Sequence, residues 1–304
     1  MKTILRLFPL ILGFALITSC ALPSAVMQLD NYENEHYVIS QQIDEISGLE
    51  WDGKYFYGFN DSGGKPEIYT FTKQAPASIH QTIKLANATN IDWEEMAVSD
   101  TFYFVGDTGN NLGNRRDLKV YYFPKDAIGT QRNVSVQVDT LQYFYPEQED
   151  FSVRNMQHDF DMEAMVYHNN RVHLFTKEWQ SSRTRHFHLD MVKGIQPAWM
   201  NEQYPIPFMV TGADIRHLRN KWSRLLLVGY TRTGEVYLLS SVFPTNQNKM
   251  FQHDVNIQQL GHAEQLGQVE GVTWISDTDF CISAERMNSQ DGVIEQNIRC
   301  YKKK

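Results

Sequence analysis

The chain has 304 residues, of which 42% are hydrophobic and 21% charged, and its formal charge is −8. That length carries a large core, as one big domain or two small ones. The acidic balance, with no basic run longer than Arg115-Arg116 or the three closing lysines, excludes nucleic acid as a partner.

The chain begins MKTILRLFPLILGFALITSC. Lys2 and Arg6 lead into an apolar run from Leu7 to Ile17, too short to cross a bilayer and stay there. This is the pattern of a secretory signal over 1–19. Ile17-Thr18-Ser19-Cys20 looks like a bacterial lipobox, so Cys20 is expected to carry a lipid and 20–30 to act as a tether. Ala21 behind the cysteine fits export to the outer membrane, with the body in the periplasm. The alternative is an ordinary signal that happens to contain Cys20.

From 31 to 304 the chain reads as a single all-β domain. Five segments share one pattern: EISGLEWDGKYFYGFNDSGG, DWEEMAVSDTFYFVGDTGNN, DMEAMVYHNNRVHLFTKEWQ, TGADIRHLRNKWSRLLLVGYTRTG and QVEGVTWISDTDFCISAER. Each has a polar start, an alternating apolar run, a polar turn and a second apolar run. Aligned on Leu49, Met96, Met165, Ile215 and Val272, they are spaced by 47, 69, 50 and 57 residues. Such repeats of short strands predict a β-propeller of four-stranded blades. Five blades are favoured, with six as the alternative. The longest interval holds LKVYYF and VSVQVDTLQYFY, which are expected to complete one blade. HYVISQQI, ahead of the first repeat, is expected to join the last blade and close the ring, leaving no bare edge. Cys281 and Cys300 sit on two strand-like runs, as a disulfide or as two buried thiols.

In a propeller the inner strands line a channel and ligands bind at its mouth. The first run of each repeat is the expected inner strand. One column there reads Glu45, Asp92, Asp161, Thr211, Gln268; two residues on it reads Ser47, Glu94, Glu163, Ala213, Glu270, with Asp214 one place out of register. Residues two apart share a strand face, so Asp92 with Glu94, and Asp161 with Glu163, are expected to face the channel. The second runs end in Asp61, Asp107, Lys177, Tyr230 and Ala284, followed by Ser62, Thr108, Glu178, Thr231 and Glu285. Converging carboxylates need a cation or raised pKa values. Calcium, which prefers oxygen ligands, is the candidate cofactor. The competing reading pairs the acids with Lys177, Arg115, Arg116 and Arg286. Asp92, Asp161, Asp214, Arg115, Arg116, Glu178 and Glu285 are candidate ligand-binding residues, and Glu163 or Lys177 a candidate base.

The loop VGDTGNNLGNRRDLKVYYF resembles a phosphate-binding loop, but it lacks Lys-Ser/Thr and leads into a strand rather than a helix. It lacks the EF-hand order as well. It is expected to be a long turn between two strands, with Asp107, Asn110 and Asn111 offering oxygens at the mouth. NDSGG lacks the histidine and aspartate partners of a serine protease. His186 and His188 in RHFHLD share a strand face without an evident third zinc ligand, and are expected to be an exposed outer-strand pair.

ISGLEWDGKYFYGFNDSGG, NIDWEEMA, VGDTGNNLGNRRDLKVYYF, DMEAMVYHNNRVHLFTKE, VTGADI and QVEGVTWISDTDFCISAE together resemble bacterial propellers of the esterase-like-phytase and SdiA-regulated groups. More distantly they resemble regucalcin/gluconolactonase and strictosidine synthase. The likeness runs from Ile46 to Glu285. It implies one calcium in the channel, with Glu94, Glu163, Glu270, Asp107 and Asp61 as the positions to test. Two functions are therefore expected. The first is a non-catalytic envelope lipoprotein, monomeric, binding a small molecule or an envelope protein at its acidic channel. The second is a calcium-dependent hydrolase of an ester, lactone or phosphoester.

Overall fold

Five small sheets stand around one axis in a computed structural model that describes residues 23–289 and 292–304. Each sheet is one blade, so the ring has five. Blade 1 runs outward through Ile46–Trp51, Phe56–Asn60, Glu67–Phe71 and Gln81–Leu85. Blade 2 uses Trp93–Val98, Phe102–Asp107, Lys119–Pro124 and Asp139–Phe144. Blade 3 uses Asp161–His168, Arg171–Lys177, Arg183–Asp190 and Trp199–Pro205, and blade 4 Met209–His217, Trp222–Tyr230, Glu235–Pro244 and Asp254–His262. Blade 5 takes Gln268–Trp274, Phe280–Glu285 and Asn297–Lys303, and Tyr32–Val38 pairs onto the last of these as its outer strand. The ring is thus closed by the segment ahead of the first repeat, as expected.

The expected signal peptide over 1–19 and the lipidation site Cys20 lie outside the described residues. Part of the expected 20–30 tether is docked. Ala25 donates its amide to Asp254, Arg224 holds the Ser24 carbonyl, and Met27 is buried between blades 4 and 5. Among the described residues no helix is long and apolar enough to cross a membrane.

Alternation puts apolar side chains on both faces of each blade, so each pair of neighbours shares a core. There are five such clusters. Phe59, Trp93 and Tyr121 fill the space between blades 1 and 2, and Phe104, Met165 and Phe187 that between blades 2 and 3. Phe175, Leu227 and Phe243 join blades 3 and 4; Leu226, Val272 and Phe280 join 4 and 5; Leu49, Phe71 and Ile298 join 5 and 1. Cys281 and Cys300, fully buried in the last cluster, are joined by a disulfide between adjacent strands.

Two outer segments depart from the reading by sequence. VSVQVDTLQYFY is not one strand of blade 2. Its first half, Asn133–Val136, pairs in parallel with the outer strand of blade 1, and only Asp139–Phe144 stays in blade 2. Ile195–Pro197 latches blade 3 onto blade 2 in the same way. Val138, between the two halves, breaks the run. The alternation passes smoothly through it, so periodicity alone does not show the break.

All five inner strands carry a register shift, between Ser47 and Glu50, Trp93 and Met96, Met162 and Ala164, Val210 and Gly212, and Val269 and Gly271. These bulges bend each strand against its neighbours at the waist of the channel. The waist is narrow. A Cβ on Gly212 would lie 2.8 Å from the Gly271 Cα, and one on Gly271 would lie 3.0 Å from the Leu49 Cβ. Only residues without a side chain permit this approach.

Candidate functional site

The acids gather where the inner strands begin and the second strands end. That mouth has two unlike halves. On blades 1 and 2, Asp61, Asp92 and Glu94 each offer a carboxylate oxygen, all within 4.8 Å of one another. Glu94 is 4% exposed, yet no hydrogen-bond donor among the described residues reaches its carboxylate. The same holds for Asp92, and Asp61 Oδ1 is buried without a partner. Asp61 and Asp92 are half-buried, so the cluster opens to solvent on one side.

Burial and the neighbouring acids raise these groups. Asp61 is pushed up to about 8, by burial and by Asp92 and Glu270. Asp92 is pushed up to about 6, by burial and by Asp161. Glu94 rises well above the carboxylate range for the same reason, with Glu163 and Asp61 as the largest charges. Three acidic oxygens this close could hold a hard cation.

On blades 3 to 5 the acids are partnered. Lys177 Nζ lies 3.0 Å from Glu163 Oε2, and both are buried. Burial opposes the ammonium, but Glu163, Tyr230 and Glu270 hold the Lys177 pKa well above that of an ordinary lysine. Tyr230 donates to Glu270 Oε1 at 3.1 Å, and Gln268 Nε2 bridges Glu270 and Glu285 at 2.7 and 3.0 Å. Glu285 is still pushed up to about 9, by burial and by Glu270 and Asp61. Gln268 and Tyr230 are the donors that sequence reasoning passed over. Their place in the expected columns was the available signal.

The glycine-asparagine loop folds over the mouth. Gly109 lies against the open trio: a Cβ there would run into Glu94 Oε1 and Asp92 Oδ2. The amide of Asn110 donates to Asp161 Oδ1 at 2.6 Å, and Trp179 Nε1 holds Asp161 Oδ2 at 2.8 Å. Asn110 turns its own oxygen to the Arg115 amide and its nitrogen to the Phe160 carbonyl. Its side chain is therefore occupied within the loop, not offered to the trio. Asp107 is likewise engaged, by Arg115 at 2.9 Å and by Lys119 at 3.7 Å.

Two of the remaining candidates, Arg116 and Asp214, stand apart. Arg116 lies over the Phe151 ring at 3.6 Å, on the surface. Glu178 lines the cleft beside the partnered half, where Arg185 and Arg183 hold it, with Thr176 and Ser181 as further donors. Asp214 is not at this mouth. The bulge in blade 4 puts Thr211, not Ala213, in register with Glu163 and Glu270, and carries Asp214 toward the opposite end. There its Oδ2 accepts from the Trp274 amide at 2.7 Å and from Thr273 at 3.2 Å. His186 and His188 are not an exposed pair. His186 is fully buried, with His173 Nδ1 at 2.8 Å and Glu202 at 3.2 Å.

Beside the partnered half, Trp179, Phe208, Met209 and Arg232 line a cleft of about 270 Å3 between blades 3 and 4. Arg232 packs over the Trp179 ring at 5.3 Å, and Lys177 faces the same ring at 4.9 Å. The mouth thus combines an open acidic trio with an aromatic, cationic wall.

No family model matches the chain, and no curated protein does. Among solved structures it is similar to a protein described as an oxidoreductase (glucose dehydrogenase) from Thermus thermophilus, at 8% identity, covering 89% of this chain and 100% of that one, with a TM-score of 0.47. It is similar to a β-1,3-galactosidase solved with galactodeoxynojirimycin, at 10% identity over 86% and 92% of the two chains, with a TM-score of 0.49. An α-L-arabinofuranosidase from Clostridium thermocellum matches at 11% identity over 85% and 95%, with a TM-score of 0.43. At these identities the likeness concerns the fold alone.

Proposed function

We propose that this is a non-catalytic binding protein of the cell envelope whose ligand mouth is organised by a hard divalent cation, calcium by preference. One observation carries the reading: Asp61, Asp92 and Glu94 bring oxygens within 4.8 Å with no hydrogen-bond donor on their carboxylates among the described residues, and Lys177 and Arg115 offset their charge only in part. Oxygen-only donors, two of them open to solvent, suit an ion that fills its shell with water or ligand. Bound there, the ion would supply charge neutralisation and a coordination point for an anionic or hydroxyl-bearing ligand. The Trp179–Arg232 cleft would hold the rest of that ligand. Lipid on Cys20 would hang a monomeric body from the outer membrane into the periplasm.

Binding is preferred over catalysis because the two candidate bases are taken up with each other. The neighbouring acids hold Lys177 as an ammonium 3.0 Å from Glu163, whose carboxyl is pushed up by burial against the pull of Lys177. A second reading, a calcium-dependent ester, lactone or phosphoester hydrolase, is favoured by the solvent-facing side of Asp61 and Asp92, where a substrate oxygen would have room. The test is elemental analysis of protein purified without chelator, followed by turnover of an ester, lactone and phosphoester panel. The binding reading expects bound calcium near one per chain and no turnover. Turnover lost on chelation would replace it with the hydrolase, and absence of any bound or bindable divalent ion would remove both.

A further inference from the structure

The opposite end of the channel carries a second cleft. There the inner strands end, and blades 1, 2, 4 and 5 surround a cleft of about 350 Å3. Glu50 lines it and is 5% exposed; no side chain among the described residues hydrogen-bonds its carboxyl, which feels the adjacent Trp51 amide and the charge of Lys125. Its neighbours at the same end are fully occupied. Glu95 accepts from the Met96 amide at 2.9 Å and, across the axis, from the Ala213 amide at 2.7 Å. Asp214 is held by Trp274, Thr273 and Ile215. Of the buried acids at this end only Glu50 keeps bonding capacity toward the cleft; Asp52, also in the lining, is exposed and accepts from the Lys54 and Tyr55 amides and the Tyr57 hydroxyl.

The rest of the lining has a different character. Trp51, Tyr57 and Tyr103 give an aromatic wall. Lys125 stands over the Tyr103 ring at 5.4 Å and has no ion-pair partner among the described residues. Arg216 is on the rim, shared with Asp277 at 3.1 Å. An unpaired acid deep in the cleft, an unpaired cation at its edge and aromatic faces between them are complementary to a ligand with both charges.

We infer that this far mouth binds a small zwitterion, of the amino-acid or betaine class. The ligand's ammonium faces Glu50 and the aromatic rings, and its carboxylate faces Lys125. The site is independent of the cation at the other mouth.

The test is ligand-observed NMR of the full chain with the common amino acids and glycine betaine at millimolar concentration. Choline and 3,3-dimethylbutyrate serve as the cation-only and anion-only controls. The same spectra are taken on Glu50→Gln and Lys125→Met. Glu50→Gln keeps the shape, and Lys125→Met changes a partly exposed side chain, so both variants are expected to fold. At least one zwitterion should bind the wild type, and each variant should weaken it about tenfold or more, as expected for losing a charged hydrogen bond. Glu94→Gln should leave that binding unchanged. The inference is overturned if no zwitterion binds, if either control binds as well as the best zwitterion, or if binding survives both substitutions.

Discussion

The two halves of the acidic mouth are built from the same repeat and end in opposite states. On blades 3 to 5, Lys177, Tyr230 and Gln268 satisfy Glu163, Glu270 and Glu285. On blades 1 and 2, the equivalent strand ends supply Asp61 and Asp107, and Arg115 and Lys119 are spent on Asp107. Asp61, Asp92 and Glu94 are left with no donor among the described residues. Acid count alone therefore does not separate the two halves; the difference is whether a protein donor reaches the acid, and the proposed cation reading rests on that difference.

The comparison breaks most sharply at Lys177. Lys177→Met leaves buried Glu163 without its counter-ion, and should cost about 3–5 kcal/mol in urea unfolding. Added calcium should not restore that loss, because the defect lies in the partnered half. A cost below about 1 kcal/mol would mean that the pair is not an internal salt bridge in solution.

Gly109→Ala touches the other half. Its methyl group would meet both Glu94 and Asp92, so the loop must shift. We expect a loss of about 1–3 kcal/mol, of the size seen on overpacking, together with weaker calcium binding in calorimetry. Unchanged calcium affinity would separate the loop from the trio.

The pH response draws on both halves of the mouth. In chelator, burial and neighbouring acids push Asp61 up to about 8 and Glu285 up to about 9. Groups raised on folding stabilise the fold below their ordinary pKa, and that contribution is lost as pH rises through the folded value. The melting temperature without calcium should therefore fall as pH rises from the ordinary carboxylate range to about 9, and level off above it. Calcium should flatten the fall by stabilising the ionised trio. A melting temperature that rises over this range would reverse the sign of the argument. At the small end, Arg116→Ala removes a surface contact with Phe151. It should cost about 0.5–1 kcal/mol and leave calcium binding unmoved.

The blade count and ring closure were readable because five runs repeat one pattern and the leading strand has the right character to complete the fifth blade. The site was readable only in part. Glu94, Glu163 and Glu270 fall at the bulges, where the sequence columns placed them. The same bulges shift the register of blade 4 by residues that look like ordinary alternation, so Asp214 was assigned to the wrong end. Asn110 has the chemistry of a ligand, but only the fold shows that the Arg115 amide takes its oxygen. Glu50 went unnoticed because a glutamate followed by tryptophan at a strand end has no distinctive spacing.

The most direct measurement is the calcium-induced change in melting temperature of chelator-treated wild type, Glu94→Gln and Glu270→Gln at neutral pH. At calcium about one hundred times the dissociation constant, a specific site adds about 2.7 kcal/mol. The account predicts a rise of several degrees in wild type and in Glu270→Gln, and none in Glu94→Gln. No rise in wild type, or an equal rise in Glu94→Gln, would contradict it.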